Sequence, residues 1–238
     1  MALLELANVE VVVLCGGRGT RLGRLTAQTP KPLLPIQGEP FLLRRLRDLQ
    51  QEGCQRFILA AHYLAEQFVE FTRTYAAQLP RLRVITEPAP LGTGGALRFA
   101  AQCVESEVFV ALNGDTWVPQ PIRPVYECHA LRASEMTMVA VRSARVQGGA
   151  AEKDHLLIGP QDHIRGFVRT PPVGAEGWVN AGLYVLRRDV VHRWPLEPFT
   201  LEERLLELTT PGRVHVFYSE EVLLDIGTPA CYAHAEDA

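Results

Sequence analysis

Lysine is almost absent from this 238-residue chain: of 24 basic residues only Lys31 and Lys153 are lysine, and the rest are arginine. Generic positive charge is carried by arginine, so a position that keeps the compact, flexible ammonium hints at a need for a point charge there. An excess of positive charge is also lacking. The net charge of -3 offers no basic field for a polynucleotide, so nucleic acid is not an expected partner, and any bound phosphate must be held by a few local groups. Cysteine is sparse: Cys15, Cys54, Cys103, Cys128 and Cys231 are odd in number, widely spaced and without a Cys-x-x-Cys pair, which argues against disulfides and structural zinc and fits a reducing cytosol. No apolar run is long enough to span a bilayer. The apolar N-terminus is broken by Glu5, Asn8 and Glu10 and has no basic flank, so neither a membrane anchor nor an export signal is expected. Linkers, repeats and low-complexity tracts are absent too, and a 47% apolar composition can fill one sizeable core. One continuous domain is expected, with a nucleotide-binding half over about 9–118 and an acceptor half over about 119–238.

What is present is alternation. Val9 to Leu14 is a short Val-rich run that breaks into Gly16-Gly17, as a buried parallel strand entering a loop would. Pro40 then opens a helical pattern with Phe41, Leu42, Leu46 and Leu49 on one face, and Gly53 sits where a C-terminal cap is expected. Further elements are a strand at Phe57 to Ala61, a helix near Ala65 to Tyr75, a strand at Arg83 to Ile85, a helix from about Gly95 to Cys103 and a strand at Val108 to Leu112. Repeated βαβ units predict a Rossmann-like α/β fold: a mixed, mainly parallel sheet flanked by helices, with the ligand at the carboxyl ends of the strands. The second half reads as strands at Met136 to Val141, Ile164 to Arg169, Val179 to Leu186 and Val214 to Phe217, with two helices, Leu201 to Leu208 and a short one after Pro229. Ser143 to His163 reads as a polar excursion.

Two segments carry chemistry. Gly16-Gly17-Arg18-Gly19-Thr20-Arg21-Leu22 follows the first strand, and Thr29-Pro30-Lys31-Pro32 follows it in turn. Glycines let backbone N–H groups approach phosphate oxygens, and Arg21 and Lys31 add full charges. A tight turn and a dinucleotide loop are the competing readings. The dinucleotide version fails because the second strand ends in Ala60-Ala61-His62-Tyr63, with no acid for a ribose hydroxyl, and Gly-Lys-Ser/Thr is missing, so this is no P-loop. Asn113-Gly114-Asp115-Thr116 places an acid at the same sheet edge, and Leu224-Asp225-Ile226-Gly227-Thr228-Pro229 supplies another. Two such carboxylates could converge on Mg²⁺, which takes one or two carboxylates plus phosphate oxygens and waters; singly, each Asp also fits a local hydrogen-bonding turn.

Together these residues, with Pro90-Leu91-Gly92-Thr93-Gly94-Gly95 and Asn180-Ala181-Gly182-Leu183-Tyr184, resemble the sugar-1-phosphate nucleotidylyltransferase family from about Val9 to Tyr232. Within it, Pro90 to Ala96 and Asn113 to Thr116 are most similar to the bacterial heptose 1-phosphate guanylyltransferases. The resemblance implies transfer of a nucleotidyl group from a nucleoside triphosphate, GTP above all, to a sugar 1-phosphate such as a manno-heptose 1-phosphate, for cell-envelope polysaccharide synthesis. Other pairs in the family stay open: mannose 1-phosphate with GTP, or N-acetylmuramate or glucose 1-phosphate with UTP. It implies Asp115 and Asp225 as ligands of Mg²⁺, and Arg21 and Lys31 as the catalytic cations on the phosphates. Leu14, Gly16, Gly17, Gly19, Glu87, Gly92 and Thr93 would contact the nucleotide, and Asn180 and Glu202 the sugar. Glu87 could accept from guanine N1 and N2, or from backbone or ribose. Trp117 could line the sugar pocket or belong to the core.

The chain also departs from the family pattern. Members commonly carry a Glu-Lys pair after an aromatic residue in the acceptor half, whereas Phe167 here is followed by Val168-Arg169-Thr170-Pro171. Arg169 could take over that phosphate, or Lys153 could reach in, although Lys153 also reads as a solvated surface residue. An Arg-Tyr-Gly element is absent from the middle region, where Gln147-Gly148-Gly149 stands. A glycosyltransferase would want Asp-x-Asp, but Asp115 is followed by Thr116 and Trp117. A non-catalytic nucleotide-binding subunit would not need Arg21, Lys31, Asp115 and Asp225 together. Only 13 residues follow Asp225, so an appended β-helix domain, with its acetyltransfer and trimerisation, is not expected. A homo-oligomer stays open.

Overall fold

Glu10–Cys15 forms β1, buried along nearly its whole length, as a strand covered on both faces must be. The computed structural model describes residues 5–147, 153–169 and 177–237. Gly148 and Gly149, and Thr170 and Pro171, two of the departures noted in the sequence, lie outside them. After β1 come β2 (Pro35–Ile36), β3 (Glu39–Pro40), α1 (Phe41–Gln51), β4 (Arg56–Ala61), α2 (Ala65–Thr74), β5 (Leu82–Thr86), α3 (Gly92–Ala100), β6 (Val108–Asn113) and β7 (Thr116–Trp117). The second half contains α4 (Ile122–Leu131), β8 (Met136–Arg142), β9 (Val146–Gln147), β10 (His155–Ile158), β11 (Ile164–Val168), β12 (Trp178–Arg187), α5 (Arg188–Val191), α6 (Leu201–Leu208), β13 (Val214–Ser219), β14 (Leu223–Asp225) and α7 (Pro229–Asp237).

In the first half the main sheet is parallel, and β2 and β3 form a small antiparallel pair apart from it. β1 pairs with β4 on one side and β6 on the other, and β5 extends the sheet beyond β4. The chain moves outward from β1 to β4 and β5 and then returns to the opposite side of β1, so the strand order reverses between β1 and β6. A crevice opens at such a switch point, outside the carboxyl ends of the strands. Side chains divide by strand alternation. Val11 and Val13 join a core with Leu42, Leu46 and Leu49 of α1 and Phe68 of α2, while Val12 joins Leu97 and Ala100 of α3 on the other face.

β12 carries the sheet into the second half. It runs antiparallel to β6, β8 and β10, and β13 lies parallel to β8 beyond it. Its register shifts between Asn180 and Tyr184, where Gly182 adopts φ 72°. A Cβ there would lie 2.5 Å from Thr116 Oγ1 and 2.8 Å from Asn113 Nδ2, so only glycine lets this bulge press against the strand that leads to Asp115. The bulge lets one strand serve β6 at one end and β10 at the other. β7, β14 and β9 form a separate three-stranded sheet that brings Asp225 opposite Thr116.

Three expectations for this half are corrected. Helix α4 lies where no helix was expected; its first free amide, Ile122 N–H, is taken by Glu52 Oε2 at 2.6 Å, a cap supplied from 70 residues away. The short α5 was also missed. Ser143 to His163 is not simply an excursion, since its described part contains β9 and β10. In the first half, the helix expected from Gly95 begins three residues earlier, at Gly92.

Candidate active site

The crevice between β1 and β6 opens into a cavity of about 490 Å³. Leu14, Gly16, Gly17, Gly19, Arg21, Lys31, Glu87, Gly92, Thr93 and Asp115, named from the sequence motifs, all line it. His62 and Asn113 line it as well and were not expected; their place at the carboxyl ends of β4 and β6 was the available signal. The first loop is tied down by protein contacts on its outer side. Tyr63 O–H donates to Thr26 O at 2.9 Å, and Thr26 O–H donates to Gly19 O at 3.0 Å. A second cavity of about 480 Å³ lies at the opposite strand ends, and its Arg187 is already bound through two hydrogen bonds to Asp189.

At the inner end of the first cavity, charges alternate. Lys31 Nζ donates to Asp115 Oδ2 at 2.6 Å and lies 3.9 Å from Asp225 Oδ1; Lys153 Nζ lies 2.7 Å from Asp225 Oδ2. Arg21 joins them: a Cβ on Gly227 would lie 2.7 Å from Asp225 Oδ1, 3.2 Å from Lys31 Nζ and 3.3 Å from an Arg21 Nη. Arg21, Lys31 and Asp225 thus meet around Gly227. Burial opposes ionisation of Asp115, but Lys31, with Lys153 and Arg21 behind it, outweighs that and holds the carboxyl below its usual range. The surface reading of Lys153 is overturned, because its side chain is only 18% exposed and is paired.

The two carboxylates are close enough for one ammonium to reach both, and they offer hard oxygen donors. Among the described residues no group of three or more His, Cys, Asp or Glu gathers to hold a metal. A pair of carboxylates beside an open phosphate cavity suits Mg²⁺, which completes its shell with waters and phosphate oxygens, and does not suit an ion that needs an all-protein cage.

Glu87 closes the other end. It is 3% exposed, its Oε1 has no hydrogen-bond partner, and its Oε2 accepts only a long bond from Leu91 N–H at 3.4 Å. Burial pushes its carboxyl above the usual range, against the backbone bond from Leu91 and the nearby His62. A Cβ on Gly16 would lie 2.8 Å from Glu87 Oε1, so the glycine makes room for this carboxylate.

The second glycine-rich segment is built differently. Leu91 to Gly95 packs against residues 197–201: Gly94 N–H donates to Phe199 O, and Thr93 O–H accepts from Leu201 N–H at 2.8 Å. Beside it, on α6, Glu202 Oε1 accepts from Asn180 Nδ2 at 3.1 Å, and Asn180 also donates to Tyr184 O–H. Burial raises the Glu202 carboxyl above its usual range. Arg169 is placed away from burial, 73% exposed, with its Nε 3.5 Å from Asp154 Oδ1. Trp117 packs with Ile36, Phe41, Leu224 and Ile226, in keeping with the core reading.

This sheet, with its crevice and its paired acids, has the fold of the nucleotide-diphospho-sugar transferases. HddC from Yersinia pseudotuberculosis, solved with GMP-PN, superposes with a TM-score of 0.82 at 29% identity over 96% of this chain and 98% of that one. The sequence profile of the nucleotidyl transferase family matches residues 10–237, and the chain belongs to that family. The mannose-1-phosphate guanylyltransferase catalytic subunit beta of Drosophila melanogaster is 30% identical over 226 residues, 93% of this chain. The chain spans about 60% of the length of that relative. It covers 98% of the D-glycero-alpha-D-manno-heptose 1-phosphate guanylyltransferase of Campylobacter jejuni, at 28% identity. No helix among the described residues is long and apolar enough to cross a membrane.

Proposed function

We propose that the protein transfers a nucleotidyl group from a nucleoside triphosphate, GTP first, to a sugar 1-phosphate of manno configuration, heptose or mannose, releasing pyrophosphate. The observation that carries this reading is the meeting of Arg21, Lys31, Asp115 and Asp225 at the inner end of a glycine-lined cavity. In the step, a phosphate oxygen of the sugar 1-phosphate attacks the α-phosphorus, a new P–O bond forms, and the bond to the β-phosphate oxygen breaks. Pyrophosphate leaves with that electron pair. The attacking phosphate has a second pKa of about 6 and is mostly dianionic at neutral pH, so no general base is required. Positioning and charge remain as the tasks of the protein.

The residues divide those tasks. Arg21 and Lys31 stabilise charge on the transferring phosphoryl group and on the departing pyrophosphate. Asp115 and Asp225 would hold Mg²⁺, which when bound neutralises phosphate oxygens. Backbone amides of Gly16 to Gly19 face the triphosphate, and Gly17 has no atom within 4 Å of where its Cβ would stand, leaving that space for phosphate. The unpartnered Oε1 of Glu87 supports a base-reading role, since a carboxylate matches the adjacent donors on guanine N1 and N2. Asn180 and Glu202 face the sugar. The five free thiols suit a cytosolic site of action.

A matrix of nucleoside triphosphates against mannose, glucose, manno-heptose and N-acetylmuramic acid 1-phosphates, read by pyrophosphate release with Mg²⁺, tests the reading. GTP with a manno-configured acceptor is expected to give the highest kcat/KM. No turnover with any pair would sink the enzymatic reading, and a UTP–glucose optimum would move the substrate pair.

A further inference from the structure

Lys153 is the chain's second lysine, and the step proposed above leaves it unused. It stands just before β10, in the connection from β9. Because β9 runs parallel to β14, and β10 is joined to β12 through His155 and Val179, this stretch is carried to where β14 ends at Asp225 and β12 presents Asn180. The ammonium sits 2.7 Å from Asp225 Oδ2 and completes a row of alternating charge: Asp115, Lys31, Asp225, Lys153. Asp115 and Lys31 line the nucleotide cavity, so the row leads from that cavity toward the acceptor half. The Lys153 charge also acts on Glu202, which with Asn180 faces the acceptor.

We propose that Lys153 binds the phosphate of the sugar 1-phosphate, with Asp225 positioning its ammonium; the inference rests on the nucleotidyl-transfer reading. The acceptor arrives as a dianion into a region that already holds Asp115, Asp225 and Glu202, and repulsion among these groups requires a cation on the acceptor side. Lys31, beside Asp115, is the cation assigned above to the transferring phosphoryl group and the pyrophosphate, so it does not serve the acceptor phosphate. An ammonium has three donors, so Lys153 can keep Asp225 on one and offer two to phosphate oxygens. Its tether suits this use, because a point charge on a flexible stem reorients without a fixed fork geometry. Arg169 is largely exposed, with its Nε 3.5 Å from Asp154 Oδ1, and does not join the buried row of charges at Asp225.

The test separates this role from a structural one and from the transfer reading. Mannose, glucose and manno-heptose 1-phosphates are titrated by calorimetry into the full-length protein saturated with a non-hydrolysable GTP analogue, using wild type, K153M, K153R and R169M. In parallel, KM is measured for GTP and for the sugar phosphate. K153M is expected to weaken sugar-phosphate binding roughly 10- to 100-fold, the loss expected of one charge-assisted contact, with the KM for GTP within twofold of wild type. K153R should recover part of the loss, and R169M should bind like wild type. Unchanged binding in K153M, equal weakening of both substrates, a loss that follows R169M instead, or no sugar-phosphate binding by the wild type would each overturn the proposal. Binding that depends on Lys153 without any pyrophosphate release would uphold it while defeating the transfer reading.

Discussion

Gly16-Gly17-Arg18-Gly19 and the first two residues of Gly92-Thr93-Gly94-Gly95 line the same cavity, but the glycines of the two segments answer to different neighbours. In the first segment the space beside Gly17 is open. In the second, a Cβ on Gly94 would stand 2.0 Å from the Phe199 ring and one on Gly95 would stand 2.4 Å from Glu197 O. The Thr93 hydroxyl is likewise occupied by Leu201 N–H. The first segment leaves open space only at Gly17, since Gly16 meets Glu87 and Gly19 meets Thr26, whereas the second gives its space to residues 197–201, which lead into α6 and Glu202. Three glycines in four residues thus leave open space at one position in the first segment and meet close packing in the second. The packed segment fastens the start of α3 to residues 197–201 and the start of α6.

Substitutions distinguish the two segments. The largest effects belong to the ligand-facing charges. D115N and K31A should each lower turnover by roughly 10²–10³-fold, the range for removing a preorganised transition-state contact, while circular dichroism of D115N stays that of the wild type. Full activity in either variant contradicts the roles given to them. Next, G94A should destabilise the fold by about 1–3 kcal/mol, since the methyl must displace an aromatic ring, and chemical denaturation will measure it. A smaller effect is expected from Glu87. Burial raises its carboxyl pKa, so its anionic, accepting form is lost as pH falls through that raised value, and the KM for GTP should rise on the acid side at a higher pH than for a solvated carboxyl. E87Q should flatten that limb and narrow the preference for GTP over other nucleoside triphosphates. The smallest effect is on stability in G17A: with no neighbour to strike, it should change the unfolding free energy by less than about 0.5 kcal/mol while raising the KM for the nucleotide. Matching stability losses in G17A and G94A would erase the distinction between the two segments.

Much of the nucleotide half was legible because its elements are locally specified. A Val-rich run breaking into glycines marks β1 and its loop, and Pro40, the apolar face of α1 and Gly53 mark one helix from end to end. The acceptor half depends on distant partners that periodicity does not reveal. Helix α4 takes its cap from Glu52, and the glycines at 92–95 look like a phosphate loop until Phe199 is seen against them. Lys153 read as a surface residue because its partner Asp225 is 72 positions away, reached only through the pairing of β9 with β14. The rarity of lysine was the one signal in the sequence that pointed to both ammonium groups.

The proposed function assigns the cavity and its row of charges to nucleotidyl transfer and not to hydrolysis. The most direct measurement is the product balance after incubation with GTP, Mg²⁺ and mannose or manno-heptose 1-phosphate, resolved by mass spectrometry. The account predicts GDP-sugar and pyrophosphate in equal amounts, with both absent when the sugar phosphate is left out. GDP and inorganic phosphate as products, or GTP consumed at the same rate without an acceptor, would contradict it.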